Sequence, residues 1–248
     1  LSKPKIPTFS IITPTRNRDG RYENGYFDRC LRSIKNQRYP KDAFEHILID
    51  DNQGDKISKV VGHVYNSEIY HTIVEHEFPT ERYIAYNDGM KAVKNEWIVF
   101  LDDDDEYDPN YLDYVAEGIN RNPKNKLFNY GGMVNNRKDN WQRPRGYVGF
   151  EQKKKAKVES GDIVNGQFCF HRDALKHKDV WMPDTNNIYV GADMANIPGY
   201  GSDKRVLGNP WGQDFYIFYK LTRHYISKPL DLYVFICYPR GTEKPERV

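Results

Sequence analysis

The sequence predicts an α/β protein built on a mostly parallel central sheet with helices on its faces. Short β-branched apolar runs stop at Pro, Gly or acidic residues, stretches with helical apolar spacing lie between them, and the two kinds alternate with short links from residue 9 to residue 101. Such alternation marks β-α-β units, whose crossovers lay parallel strands side by side under helices. In sheets of this kind ligands gather outside the carboxyl ends of the strands.

The elements follow in order. Phe9-Ser10-Ile11-Ile12-Thr13 is short, β-branched and closed by Pro14, which reads as a buried strand. Phe27, Cys30, Leu31 and Ile34 fall at i, i+3, i+4 and i+7, one face of a helix that ends before Tyr39-Pro40. The apolar run His46 to Ile49 forms a second strand that leads into Asp50-Asp51-Asn52-Gln53-Gly54, where Asn and Gly are turn formers. A polar helix around Ile57 to Tyr65, a strand at Tyr70 to Val74 and a helix near Tyr83 to Val93 repeat the pattern. Trp97 to Leu101 is then the strongest strand in the chain.

Beyond residue 120 the regularity fades. Gly131-Gly132, a loop from Asn135 to Gly146 and the lysines 153, 154, 155 and 157 precede a strand at Gln167 to Phe170. The glycine-rich Asn196 to Asn209 reads as a loop, and Asp214 to Tyr225 as a last amphipathic helix. With no repeat and no long linker, residues 1–248 are expected to be one domain with an irregular C-terminal half.

Composition narrows the function. The chain carries 37 basic and 35 acidic residues, which argues against a general nucleic-acid binder. A mean hydropathy of −0.83 and the lack of an 18-residue apolar run lead us to expect no membrane span. No leader is expected either. Cys30, Cys169 and Cys237 make an odd set without a C-x-x-C pair, so reduced thiols in the cytoplasm are expected. The seven histidines are scattered, and His71 and His76, five apart, lack zinc-helix spacing and read as ordinary strand or surface residues. His224 reads as a helix C-terminal histidine meeting the dipole.

The feature that calls for explanation is Leu101-Asp102-Asp103-Asp104-Asp105-Glu106-Tyr107-Asp108-Pro109, with six acids in the seven positions 102–108 directly after a strand. Carboxylates crowded at a strand end repel one another, and a hard divalent metal, Mn²⁺ or Mg²⁺, offsets that cost and shares its sphere with phosphates. Helix capping at Pro109 would use only one or two of the acids. An EF-hand is excluded by Tyr107 in place of the turn glycine and Asp113 in place of the closing Glu. Glycine-cradle phosphate motifs are absent.

Taken together, S-I-I-T-P-T-R-N-R at 10–18, Ile49-Asp50-Asp51-Asn52, the Asn87-Asp88-Gly89 helix and L-D-D-D-D-E-Y-D-P resemble the nucleotide-binding half of a family 2 type glycosyltransferase of GT-A fold. The resemblance covers roughly residues 8–115, leaving 116–248 as the acceptor-binding half. Gly212-Gln213-Asp214 is similar to the family's G-E-D segment, with Gln in place of Glu. The resemblance implies a Rossmann-like sheet and a nucleoside-diphosphate sugar donor, foremost a UDP-sugar. It implies that Pro14, Thr15 and Arg16 line base and ribose, that Asp51 accepts a hydrogen bond from the base, and that Arg82 pairs with the diphosphate. Asp102 and Asp104 match the outer acids of the D-x-D motif, Asp104 as metal ligand and Asp102 toward ribose or metal-bound water. Asp103 is counted with the donor contacts.

The acceptor, a saccharide or another hydroxyl compound, needs a base, and Asp214 at a helix start is the candidate. An N-cap role is compatible with it. Direct displacement through Asp214 would invert the anomeric centre. Trp211 is an acceptor-stacking candidate, or packs under its loop, and Gln213, two residues on, is a second acceptor-binding candidate. Two alternatives stay open: a sugar-phosphate nucleotidyltransferase using the same acids, and a non-catalytic nucleotide- or sugar-binding module on the same fold.

Overall fold

The computed structural model describes residues 5–16, 25–51, 57–77, 80, 82–136, 141–145, 166–181 and 213–237. The first half follows the expected alternation: β1 (Phe9–Thr15), α1 (Tyr26–Lys35), β2 (Phe44–Asp50), α2 (Ser58–Tyr65), β3 (His71–Glu75), α3 (Arg82–Ala92) and β4 (Trp97–Phe100). These strands lie in the spatial order β3-β2-β1-β4, all parallel. A short β5 (Glu106–Tyr107) and α4 (Tyr111–Arg121) follow. The second half adds β6 (Leu127–Asn136), β7 (Trp141–Arg145), β8 (Phe168–His171), α5 (Gln213–His224) and β9 (Ser227–Cys237).

Beyond β4 the same sheet continues as β8-β6-β9-β5, with β7 on β6. Here β8 is antiparallel to β4 and β6, while β9 runs parallel to β6. The structure corrects one expectation: part of the Asn135 to Gly146 loop is strand, because Trp141–Arg145 pairs antiparallel with Gly132–Asn136. The sequence also left β9 unread. Pro229 and Asp231 interrupt its apolar pattern, and its partners lie some hundred residues earlier. The lysine run and the Asn196 to Asn209 segment lie outside the described residues.

Strand alternation splits the core into two layers. On one face Phe9, Ile11, Leu48, Val99 and Leu101 pack against α1, α2 and α4. On the other, Ile12, Ile47, Ile49, Ile98 and Phe100 pack against Ala85, Tyr86 and Met90 of α3 and Ile217, Phe218 and Leu221 of α5. The helix α3 approaches β1 closely because residue 89 has no side chain. A Cβ there would stand 2.5 Å from Ile12 Cγ2, a branch atom of a fully buried residue that cannot swing away. Gly118 of α4 is held likewise, 2.6 Å from Leu230 Cδ1. Cys30 and Cys169 are buried free thiols.

His46 is fully buried in β2, its Nε2 2.8 Å from Thr13 Oγ1 and its Nδ1 2.5 Å from Tyr65 Oη. Burial, with His71 nearby, pushes its pKa down to about 3. The unfolded chain takes up this proton near pH 6.5 and the folded one only near 3. Stability from this group is therefore complete above pH 6.5 and declines as pH falls from there toward 3.

Gly89→Ala lowers stability by about 1–3 kcal/mol despite its gain in helix propensity. Gly62→Ala, where a Cβ meets nothing within 4 Å, raises stability by up to about 1 kcal/mol in urea unfolding. Equal effects at the two positions would refute the close-packing account. His46→Gln loses roughly 2 kcal/mol less stability than wild type between pH 7.5 and pH 5. An identical acid loss in both proteins would remove His46 from that role.

Candidate active site

The chain leaves β1 through α1 toward β2 on one side and returns through α3 to β4 on the other. This reversal opens a crevice at the carboxyl ends of β1 and β4, the place where doubly wound sheets bind ligands. Backbone hydrogen bonds align the segments that meet there: Asp51 N–H donates to Thr15 C=O at 3.0 Å, Leu101 N–H to Ile12 C=O at 3.0 Å, and His76 N–H to Asp50 C=O at 3.0 Å. Pro14, Thr15, Arg16, Asp51 and the acidic segment thus share one edge, as expected.

The acidic segment is a tight turn closed by Asp105 N–H on Asp102 C=O at 3.1 Å. Its four aspartates divide into two sets. Asp103, 1% exposed, accepts a hydrogen bond from Thr15 Oγ1 at 2.9 Å and one from the Arg16 N–H at 3.3 Å, tying the turn to the end of β1. Asp102, Asp104 and Asp105 each offer a carboxylate oxygen, and these three atoms lie within 4.8 Å of one another. The sequence named Asp102 and Asp104, and the fold adds Asp105. Three carboxylates are hard, acceptor-only donors, the set that suits Mg²⁺ or Mn²⁺ rather than a softer metal.

The turn is clamped downstream as well. Tyr107 Oη donates to Phe100 C=O at 2.7 Å, and its ring stacks on Tyr111 at 3.7 Å. Glu106 forms an ion pair with Arg29 of α1. Beneath the turn, burial and then the charges of Asp103, Asp105, Asp104 and Glu106 push the Cys30 thiol well above its usual range. That thiol stays protonated under a strongly negative potential.

Asp51 lies across the crevice and is buried. Its Oδ1 accepts the Thr80 N–H at 2.5 Å, and its Oδ2 stands 3.8 Å from Arg16 Nη1. Sequence reasoning missed the residues behind it. His76, the first residue after β3, has Nδ1 3.0 Å from Thr80 Oγ1 and Nε2 3.1 Å from Asp88 Oδ2 of α3. Tyr86, one helical position from Asn87, places its hydroxyl 3.4 Å from Asp102 Oδ1. The available signals were the strand-end position of His76 and the Asn87-Asp88-Gly89 segment.

Arg82 is the first residue of α3, and Gln213 and Asp214 are the first two of α5. Trp211 lies outside the described residues. The course of α5 is fixed by its contacts. Phe218 packs on Phe168, 5.4 Å between ring centres, and Phe168 lies 5.9 Å from Phe100 at the carboxyl end of β4. Six residues on, His224 Nε2 meets Asp179 Oδ1 at 2.8 Å and its ring stacks on His177 at 3.8 Å. Those partners follow His171, which pairs with Trp97 at the start of β4. The helix therefore runs against the direction of β4, with its N-terminal turn toward the edge that carries the acidic turn. Asp214 lies about 6 Å further along the helix axis than Phe218.

Comparison with known proteins places this geometry. Residues 10–178 match the family described as Glycosyl transferase family 2. A Methanococcus voltae protein, dolichyl N-acetyl-α-D-glucosaminyl phosphate 3-β-D-2,3-diacetamido-2,3-dideoxy-β-D-glucuronosyltransferase, is 26% identical over 134 residues, covering 53% of this chain and 40% of that protein. Among solved structures, S. aureus TarS 1–349 in complex with UDP aligns with a TM-score of 0.66 at 17% identity, over 94% of this chain and 60% of that one. The mannosyltransferase PcManGT from Pyrobaculum calidifontis, in complex with GDP-Man and Mn²⁺, aligns at 0.56 and 16%, over 96% of this chain and 59% of that one. The chain thus spans 40% of the length of the archaeal relative and about 60% of these two structures. The family match extends over more than half of the chain, on the GT-A α/β fold of these neighbours, and so the chain belongs to glycosyl transferase family 2.

Proposed function

We propose that this chain is a metal-dependent glycosyltransferase that moves one sugar from a nucleoside-diphosphate donor to a hydroxyl acceptor with inversion. The observation that carries the reading is the set Asp102, Asp104 and Asp105, gathered at the switch between β1 and β4 with Asp51 across the crevice. Asp104, Asp102 and Asp105 would hold Mn²⁺ or Mg²⁺, which supplies positive charge against the departing diphosphate without proton transfer. The manganese of the Pyrobaculum neighbour supports that choice.

Asp51 is acceptor-only, and so fits a base that presents an N–H, as the imide of uracil does. A UDP-sugar is the proposed donor, in line with the UDP bound to TarS. Pro14, Thr15 and Arg16 would line the base and ribose in this reading, and Arg82 would pair with the diphosphate. Asp103 contributes through Thr15 and Arg16, whose positions it holds. Asp214 takes the proton of the acceptor hydroxyl while its oxygen bonds to the anomeric carbon and the bond from that carbon to the diphosphate oxygen breaks. The direction of α5 supports Asp214 as that base. Gln213 and Trp211 are carried with it as acceptor contacts. A saccharide is the proposed acceptor, in line with the dolichyl N-acetyl-α-D-glucosaminyl phosphate in the name of the archaeal relative. No helix among the described residues is long and apolar enough to cross a membrane.

The test is a donor-hydrolysis and transfer assay over a panel of nucleotide sugars, with Mn²⁺ or EDTA. Asp214→Asn lowers kcat about 10²–10⁴-fold and leaves donor affinity within about threefold. Asp104→Ala lowers both turnover and donor affinity and flattens the response to added Mn²⁺. Equal loss of donor binding in the two variants would take the role of base from Asp214. Full turnover in EDTA would overturn the metal assignment.

A further inference from the structure

We propose that His76 is a positioning residue for the nucleobase end of the site, a role that rests on the donor reading just given. Its backbone is placed by the sheet, since Asp50 and Glu75 are register partners and the His76 N–H donates to Asp50 C=O at 3.0 Å. Its ring then bridges two elements that the sheet does not connect. Nε2 lies 3.1 Å from Asp88 Oδ2. A carboxylate only accepts, so this nitrogen carries the proton. In the neutral ring Nδ1 is then the acceptor, and the Thr80 hydroxyl, 3.0 Å away, donates to it. The Thr80 N–H in turn donates to Asp51 Oδ1 at 2.5 Å.

The chain of contacts therefore runs Asp88, His76, Thr80, Asp51. It begins on α3, whose distance from β1 is set by Gly89, the residue next to Asp88. It ends on one oxygen of the carboxylate assigned to the base. With Oδ1 fixed by Thr80, the second oxygen is held in one orientation beside Arg16. His76 Nδ1 also stands 3.5 Å from Asp51 Oδ1, and the His76 side chain is 10% exposed, so it closes the back of the Asp51 pocket. Loss of the ring frees Thr80 and with it the rotamer of Asp51. Recognition of the base suffers, while the acidic turn, tied separately to β1 through Asp103, keeps its place.

The experiment compares His76→Ala, His76→Asn and Asp51→Asn with wild type by inhibition with UDP and with inorganic pyrophosphate, each in Mn²⁺. Pyrophosphate has no base and reports the diphosphate end of the site without the Asp51 pocket. His76→Ala is expected to weaken UDP about tenfold and to raise the donor KM by a similar factor, with kcat within about twofold and pyrophosphate unchanged. His76→Asn, which keeps a polar atom near the Nδ1 position, recovers most of the loss. In the double variant with Asp51→Asn, removal of His76 adds nothing further. UDP affinity lowered by Asp51→Asn and untouched by His76→Ala would overturn the role of His76 and leave the donor reading standing. UDP affinity untouched by Asp51→Asn would overturn both. An equal loss of UDP and pyrophosphate in His76→Ala would show a general structural defect and overturn the positioning role.

Discussion

The buried carboxylate of Asp103 is the contact on which the carboxyl edge of this protein depends. A run of four aspartates has no intrinsic reason to present three of its members together. By accepting hydrogen bonds from Thr15 and the Arg16 N–H, Asp103 is drawn under the end of β1. The tight turn then gathers Asp102, Asp104 and Asp105. The hydrogen bonds that Asp103 accepts also fix Thr15 and Arg16 against the turn. One interaction thus couples the segment assigned to the nucleoside with the segment assigned to the diphosphate.

The second constraint is close packing without side chains. At Gly89 the absent Cβ lets α3 settle on Ile12, and that approach brings Tyr86 toward Asp102 and Asp88 toward His76. A helix displaced by even an ångström would lengthen both contacts beyond hydrogen-bonding reach. The two halves of the crevice are therefore held by different means: the acidic turn by polar contacts to β1, and the Asp51 pocket by a helix that β1 can admit only at a glycine.

Much of the first half was legible in the sequence because its signals are local. Phe27, Cys30, Leu31 and Ile34 spell one helix face, Trp97 to Leu101 one buried strand, and the acids after it mark a strand end. The parallel order β3-β2-β1-β4 follows from such units almost without choice. The second half was less legible because its strands depend on distant partners. Residues 141–145 read as loop, with Pro144 among them, yet they pair with β6, and Ser227–Cys237 finds its place only against Leu127–Val134. At the site, Asp102, Asp104 and Asp51 announced themselves by position in a motif. Asp105 was hidden among equivalent neighbours, and only the turn distinguishes it from Asp103. His76 was passed over because no sequence spacing links it to Thr80, Asp51 or Asp88. Their meeting is a property of the sheet edge.

The proposed function requires that the acidic turn and the Asp51 pocket be two ends of one ligand site bridged by a divalent cation. Its most direct test is calorimetric titration of UDP into the protein in Mn²⁺ and in EDTA, together with the reverse titration of Mn²⁺ with and without UDP. Each ligand is expected to tighten the other by the same factor, about tenfold or more, as thermodynamic linkage requires of ligands that meet in one site. UDP binding of equal strength with and without the cation, or Mn²⁺ binding indifferent to UDP, would contradict it.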